Sequence, residues 1–320
     1  MISILIATKD RPEKLANCLH SILKNSYKNY EVLIGDQSQD EKTQKVVSRY
    51  RGVLNIKFYR FNFKGKSKVL NFLLNESKGN ILAFTDDDCI VDKNWLENIN
   101  QFFQDNKSVK AVFGRVLPYK RTFKKGYICP SITTRREYRC FSKPCVVHKE
   151  LGVGNNFSAG KEIVERYGFK RWLGVGTFCG SGEEDDLVLN LLAHGCKVAY
   201  EPKIKVWHDR WINKSEFKSL VNKYNVGTYA CYTYHYMKGI RLKDFYYLNV
   251  FFRSFKICLR DIIKKILSFK ANEQDLGVLV DFIKEKKYVL LGYFLGYYHF
   301  FVDSLNKKLK ELFLRGVNIY

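Results

Sequence analysis

Three adjacent aspartates, Asp86, Asp87 and Asp88, follow an apolar run at residues 81–84. Adjacent carboxylates repel one another, and burying them unpaired costs free energy or forces protonation. A divalent cation would relieve this repulsion, because Mg²⁺ and Mn²⁺ prefer carboxylate oxygens as ligands. A plain polar turn is the alternative, since Asp also favours turns. The position after a buried strand favours a metal site.

A second acidic cluster, Glu183–Asp186, follows the glycine-rich residues 180–182. The leucines that come next recur at helical spacing, which predicts that the acids occupy the first turn of a helix. They are Leu187, Leu191 and Leu192. The helix dipole stabilises acids in that turn, so helix capping is one explanation of the cluster. A carboxylate that takes a proton from a hydroxyl nucleophile is the other.

The elements that must position these acids alternate along the first part of the chain. Apolar runs at 3–7, 30–38, 54–61 and 80–85 alternate with helical patterns at 11–25, 41–51 and 67–77. This alternation predicts an α/β fold with a mostly parallel sheet and helices on both faces. Ligands of such sheets bind beyond the carboxyl ends of the strands. Thr8, Asp36 and the Asp86–Asp88 cluster follow three of these strands, so we expect them along one edge.

The alternation stops beyond this point. Residues 197–209 predict two short strands broken at Pro202. Residues 120–149 carry nine Lys or Arg against one Glu. Such a stretch is either a solvated loop or an electrostatic guide for a phosphate-bearing acceptor.

Five segments occur in an order that resembles a known family. They are ISILIATKDRP, VLIGDQSQD, GKSKVLN, AFTDDDC and GSGEEDDLVLNLLAHG followed by YEPKIKVWH. Over residues 1–210 the chain is thereby similar to bacterial family 2 glycosyltransferases, which have the GT-A fold. The resemblance implies transfer of a sugar from a nucleoside diphosphate sugar, with inversion at the anomeric carbon.

The resemblance also implies roles for single residues on the donor side. Thr8 would lie beside the nucleotide, and Asp36 would accept a hydrogen bond from its base or ribose. Lys66 and Asn71 would lie near the nucleotide and its diphosphate.

The metal side of the site is implied in the same way. Asp86 and Asp88 would form the D-x-D pair that binds Mn²⁺ or Mg²⁺, with Asp86 also near the ribose. Asp87, which lies between them, is also predicted to be a cofactor-binding residue. His208 resembles the late metal or diphosphate contact of the family.

Two acids compete for the role of general base. Members of the family often read G-E-D-x-D-L, whereas this chain reads GEEDDL from Gly182. A gap-free match selects Glu184, and a literal Glu-Asp match selects Asp185. Neighbours on a helix diverge by about 100°, so only one of them can face the acceptor. We favour Glu184.

The whole chain has 320 residues and a formal charge of +23, which favours phosphates or an anionic surface. We predict a catalytic domain at 1–215 and a basic, aromatic, helical region at 216–320. Residues 251–269 have the pattern of an interfacial membrane anchor, although the region could instead pack on the catalytic domain. The most apolar segment, 288–302, is shorter than the ~20 residues of a membrane span.

The remaining features concern location and partners. Nine cysteines without a C-x-x-C pair indicate reduced thiols, and no secretory signal is visible. We therefore expect a cytoplasmic protein on the inner face of the cell membrane. Its expected substrates are a nucleoside diphosphate sugar, with uridine implied by the family, and a glycan or polyprenyl-diphosphate-linked acceptor.

Two other functions compete with this one. A nucleotidyltransferase shares an acidic metal site, but it usually has a glycine-rich loop after the first strand, where this chain reads ATKDRPEKL. A nucleic-acid-binding protein would explain the charge but not the two acidic clusters, so we do not expect a nucleic-acid partner.

Overall fold

The computed structural model describes residues 1–242, 287–289 and 291–307. The chain divides into two compact units. The first consists of residues 1–178 and 183–220, and it contains the sheet. The second consists of 179–182 and the chain from 221 onward, and its described part is mainly helical.

The predicted alternation of strands and helices is confirmed at the start of the first unit. The strands are β1 (Ile2–Thr8), β2 (Tyr30–Asp36), β3 (Ile56–Arg60) and β4 (Ile81–Thr85). The helices between them are α1 (Pro12–Leu23), α2 (Lys42–Ser48) and α3 (Lys66–Glu76). These four strands are parallel and lie in the order β3-β2-β1-β4. Their carboxyl ends therefore share one edge, as predicted.

The rest of the first unit extends the sheet with mixed directions. Its strands are β5 (Cys89–Val91), β6 (Val109–Pro118), β7 (Arg139–Phe141), β8 (Asn156–Gly160) and β9 (Lys197–His208). Its helices are α4 (Trp95–Asp105), α5 (Val147–Glu150), α6 (Lys161–Tyr167) and α7 (Glu183–Ala193), with a 3₁₀ turn at Lys120–Thr122. The sheet continues β4-β8-β6-β9-β5, and β7 also pairs with β9. Because β8 is antiparallel to β4 and β6, parallel pairing is interrupted there.

One predicted strand boundary is wrong. Residues 197–208 form the single strand β9 rather than two strands broken at Pro202. The pairing of β9 with β6 shifts register between Gly114 and Arg115, where Gly114 faces Glu201 and Arg115 faces Lys205. Pro202 lies within this irregularity, where the missing N–H costs no regular ladder hydrogen bond.

The core fills both faces of the parallel strands. Ile2, Ile4 and Ile6 of β1 belong to one buried cluster together with Leu15 and Leu19 of α1. Burying each such side chain stabilises the fold by roughly 1.5–3 kcal/mol. On the opposite face α3 packs so closely that a Cβ at Gly35 would clash with Val69. This packing fixes the amino-terminal end of α3 next to the functional edge of the sheet.

The second unit contains most of α8 (Lys214–Leu242) and a helix at 291–307. Glycine lets these helices approach closely. A Cβ at Gly292 would lie 2.6 Å from the carbonyl oxygen of Val226, which is too close for a side chain at this position. Tyr234 also donates a hydrogen bond to Asp303 at 2.7 Å. Within the described ranges no helix is both long enough and apolar enough to span a membrane. The anchor predicted at 251–269 lies outside the described residues.

Candidate active site

The turn between β4 and β5 holds the three aspartates at the predicted edge. Asp87 and Asp88 are buried, and Asp86 is partly exposed. Thr8, at the end of the neighbouring strand β1, donates a hydrogen bond to Asp87 Oδ2 at 2.7 Å. The parallel sheet thus brings Thr8 and the aspartates together across 79 residues of sequence.

Arg11 neutralises two of these aspartates. Its Nη1 lies 3.2 Å from Asp87 Oδ1 and 2.9 Å from Asp88 Oδ2. Burial and the neighbouring Asp88 raise the pKa of Asp87 to about 6. Burial also opposes ionisation of Asp88, but His208 and Arg11 outweigh it and lower the pKa of Asp88 to about 2. Sequence reasoning missed Arg11; its only signal was its position between a strand end and a helix start.

His208 meets Asp88 because β9 pairs with β5 in a register that sets His208 opposite Cys89. Its Nε2 lies 3.2 Å from Asp88 Oδ1, and its Nδ1 lies 2.8 Å from the carbonyl oxygen of Pro130. A carbonyl only accepts, so Nδ1 carries a proton and Nε2 points at Asp88. Burial lowers the pKa of His208, but Asp88 raises it more, to about 10.

This arrangement suits a divalent metal. Apart from the imidazole, Asp88 Oδ1 has no hydrogen-bond partner among the described residues although it is buried. An imidazole nitrogen and a carboxylate oxygen that face each other commonly bind Mn²⁺ or Zn²⁺ together, and a backbone carbonyl often orients the imidazole. Sites with several carboxylates favour Mn²⁺ and Mg²⁺. The residues present therefore fit the metal that the sequence predicts.

Lys66 connects this turn with the second acidic cluster. It starts α3, and its Nζ lies 3.0 Å from Asp86 Oδ1. The same Nζ lies 3.5 Å from Glu183 Oε1 and 3.5 Å from Glu184 Oε1. The acids raise the pKa of Lys66 well above its usual value against the effect of burial. Carboxylates from two clusters that are distant in sequence thus share one ammonium group.

The two candidate bases diverge on α7. Glu184 points toward Lys66, whereas Asp185 Oδ2 lies 3.8 Å from His148 Nδ1. Glu184 borders a small recess together with Lys66, Thr85, Asp86 and Gly154. Burial and the neighbouring Glu183 raise the pKa of Glu184 well above its usual value, and Lys66 opposes this rise. Glu183, which sequence reasoning did not select, is buried beside the same ammonium.

Asp36 and Asn71, two further residues predicted on the donor side, differ in how their polar atoms are engaged. Asp36 is buried at the end of β2, where its Oδ1 accepts hydrogen bonds from the backbone and hydroxyl of Ser38 at 2.9 and 2.6 Å. Its Oδ2 has no partner among the described residues. The amide of Asn71 is engaged at both ends by the backbone of Phe169, at 2.8 Å each. The contact between Asn71 and the nucleotide stays a prediction.

Comparisons with known proteins find similar sequences and folds. The sequence model of Glycosyl transferase family 2 matches residues 3–151. The poly(ribitol-phosphate) beta-N-acetylglucosaminyltransferase TarS of Staphylococcus aureus is 26% identical over 126 residues, which is 36% of this chain. The chain covers only 22% of the length of TarS.

A second relative aligns over a longer stretch. The UDP-Glc:alpha-D-GlcNAc-diphosphoundecaprenol beta-1,3-glucosyltransferase WfaP of Escherichia coli is 24% identical over 235 residues, or 71% of this chain and 85% of WfaP. The mannosyltransferase PcManGT of Pyrobaculum calidifontis, solved with GDP-Man and Mn²⁺, superposes with a TM-score of 0.56 at 13% identity. That match covers 94% of this chain and 87% of PcManGT, and it agrees with the predicted GT-A fold. Residues 3–151 of the chain are thus similar to Glycosyl transferase family 2, and the fold is that of GT-A enzymes.

Proposed function

We propose that the chain is an inverting, metal-dependent glycosyltransferase that moves a sugar from a nucleoside diphosphate sugar to a hydroxyl group. Lys66 carries this proposal, because its ammonium lies within 3.5 Å of both Asp86 and Glu184. It thereby joins a donor-side acid of the strand edge to an acceptor-side acid of α7. The two acidic clusters meet in one site, which is expected of an enzyme that transfers a group between two substrates. A solvated turn and a separate helix cap would not need to meet.

The donor would bind along the strand edge. Asp36 offers a buried carboxylate oxygen without a partner among the described residues, which suits a hydrogen bond from a ribose hydroxyl or a base. Thr8 lies beside the same edge. We propose uridine as the base, because the name of WfaP specifies UDP-Glc and WfaP aligns with 71% of this chain.

Asp86, Asp88 and His208 would hold Mn²⁺ or Mg²⁺ as a D-x-D type site. When bound, such an ion offsets the negative charge that builds on the leaving diphosphate. His208 and Arg11 already compensate Asp88, so this carboxylate stays ionised and can bind a cation.

Glu184 would act as the general base. Its carboxylate takes the proton of the acceptor hydroxyl as that oxygen bonds to the anomeric carbon. The bond between that carbon and the diphosphate oxygen breaks, and the nucleoside diphosphate leaves with the electron pair. Lys66 favours the ionised base, whereas Asp185 lies toward His148 and away from this chemistry.

The acceptor would be a glycan or a lipid-linked sugar at the inner face of the cell membrane. The diphosphoundecaprenol in the name of WfaP supports a polyprenyl-linked acceptor. The formal charge of +23 supports attraction to an anionic leaflet.

The test is product release with a panel of nucleotide sugars and Mn²⁺. We expect a free nucleoside diphosphate, which disappears when EDTA is added and in Glu184→Gln with an acceptor present. A nucleotidyltransferase would instead release pyrophosphate from a nucleoside triphosphate and a sugar phosphate. Salt-sensitive binding to RNA without release of any nucleotide product would favour the nucleic-acid alternative.

A further inference from the structure

The basic loop, defined here as residues 119–127, leaves and rejoins the sheet beside the candidate site. The backbone N–H of Tyr119 donates to the carbonyl oxygen of His208 at 3.0 Å. Just beyond the loop, Pro130 accepts from the ring of His208 at 2.8 Å. Both ends of the loop are therefore fixed next to a residue of the candidate site.

A buried acid fixes the loop further. Asp209 is 1% exposed and accepts hydrogen bonds from Lys14 at 2.8 Å and from the hydroxyl of Thr122. The indole of Trp211 reaches the same hydroxyl at 3.1 Å, and its ring meets Phe123 edge-on with centroids 5.1 Å apart. A loop that is merely solvated needs no such attachment.

The outward surface of the basic loop combines aromatic rings with positive charge. Phe123 is 58% exposed and Tyr127 is 39% exposed. The exposed cations of the loop are Lys120, Arg121, Lys124 and Lys125. From residue 119 to residue 136 the chain has six Lys or Arg and no Asp or Glu. Aromatic rings among cations, without acids, are typical of surfaces that bind the headgroup region of anionic membranes.

We propose that the basic loop binds an anionic bilayer, with Phe123 and Tyr127 among the headgroups and the cations paired with lipid phosphates. The exposed ring of Phe123 favours a bilayer as the partner, because an exposed aromatic ring adds nothing to the binding of a single soluble phosphate. Since the loop is fixed beside His208, binding would hold the candidate site at the headgroup level. The delivery of a lipid-linked acceptor rests on the proposed function, whereas the binding itself does not.

The experiment is cosedimentation of the full chain with vesicles, without any donor. We expect binding to equimolar phosphatidylglycerol and phosphatidylcholine, and weak binding to phosphatidylcholine alone. Lys124→Gln with Lys125→Gln should reduce affinity by about 25-fold, because each cation near such a surface contributes about 1 kcal/mol, or roughly fivefold. The matched control is Lys107→Gln with Lys110→Gln, the same charge loss at the opposite end of β6. It should cause a clearly smaller change.

The aromatic contribution is tested at Phe123. Phe123→Ser should weaken vesicle binding by about tenfold, whereas Phe123→Trp should keep it. The introduced indole should also be quenched by brominated lipids more than the indoles of the unchanged chain. Thermal unfolding of each variant checks that the fold is kept.

Three results would overturn the proposal. They are equal losses in both lysine pairs, unchanged binding in Phe123→Ser, and full competition by inorganic pyrophosphate. The first would indicate general charge attraction, and the other two a site for a phosphate group. None of them affects nucleoside diphosphate release measured without vesicles, so failure here is distinct from failure of the proposed function.

Discussion

The two acidic clusters of the molecule solve the same electrostatic problem differently. In the β4–β5 turn, Asp87 and Asp88 share Arg11, and Asp88 also contacts His208. In the first turn of α7, Glu183 and Glu184 share one cation. Lys66 is their only ion-pair partner among the described residues. Asp88 is thus well compensated, whereas Asp87 and Glu184 both have raised pKa values.

This difference matches the chemistry that each cluster would perform. Metal ligands must stay ionised, and the pKa of Asp88 is lowered to about 2. A general base must exchange a proton near neutral pH, and the pKa of Glu184 is raised instead. One ammonium, that of Lys66, contacts both clusters and would couple the two proposed functions.

The largest expected effect comes from removing a carboxylate of the turn cluster. Asp88→Asn should lower sugar transfer by about 10³-fold or more, because a metal supplies several kcal/mol of charge stabilisation. It should also abolish the increase in thermal stability that Mn²⁺ and nucleotide cause together. Asp92→Asn is the control, since Asp92 lies nearby but pairs with Lys205 at 3.2 Å. An unchanged metal response in Asp88→Asn would remove this residue from the site.

The helix cluster gives the next effect. Glu184→Gln should reduce turnover by ~10²–10⁴ with nearly unchanged donor affinity, because proton abstraction is lost and donor contacts are not. Asp185→Asn, one residue along the helix, should cost far less because its side chain faces His148. Steady-state kinetics with an acceptor or a surrogate measure both. If Asp185→Asn is the inactive variant, the assignment is wrong by one residue.

Sequence reasoning predicted the parts of the fold and site that repeat or follow directly along the chain. The strand ends at Thr8, Asp36 and Asp86–Asp88 follow from hydrophobic patterns and from the shared edge of parallel strands. It could not predict that Arg11 compensates two aspartates, because one arginine near a helix start carries no distinguishing pattern. Nor could it show that both ends of the Asn71 amide bind Phe169. Such contacts depend on loops that come together only in the folded chain.

The continuity of β9 shows a second limit. Pro202 suggests a break, because proline cannot donate to a ladder. Whether the strand stops or bulges depends on its partner, and β6 shifts register at Gly114 to accommodate it. Local sequence does not contain this information.

A smaller effect should come from the ammonium that both clusters share. Lys66 lowers the pKa of Glu184, so Lys66→Met should raise it further. The base must be ionised to accept a proton, so the acidic limb of the pH–rate profile should move to higher pH. Turnover at neutral pH should fall by about tenfold to a hundredfold and recover as the pH rises. Lys68→Met, on the same helix, should leave the limb unchanged. An unmoved limb in Lys66→Met would contradict the assignment of Glu184.

The smallest expected effect tests whether the position of Glu184 matters as well as its charge. A Cβ added at Gly154 would clash with the carboxylate of Glu184, whereas a Cβ at Gly160 would meet nothing within 4 Å. The carboxylate is the end of a flexible side chain, so Gly154→Ala should displace it at little cost in stability. Turnover should fall by about tenfold, since small misplacements of a reacting group are costly.

Gly160→Ala should change neither turnover nor the unfolding temperature. The double variant Gly154→Ala with Glu184→Gln separates a specific effect from a general one. If Gly154 acts through Glu184, the double variant should be no slower than Glu184→Gln alone, because residues in contact are not additive. If the two losses multiply, the glycine supports the site by another route, and the close contact with Glu184 does not explain its effect on turnover.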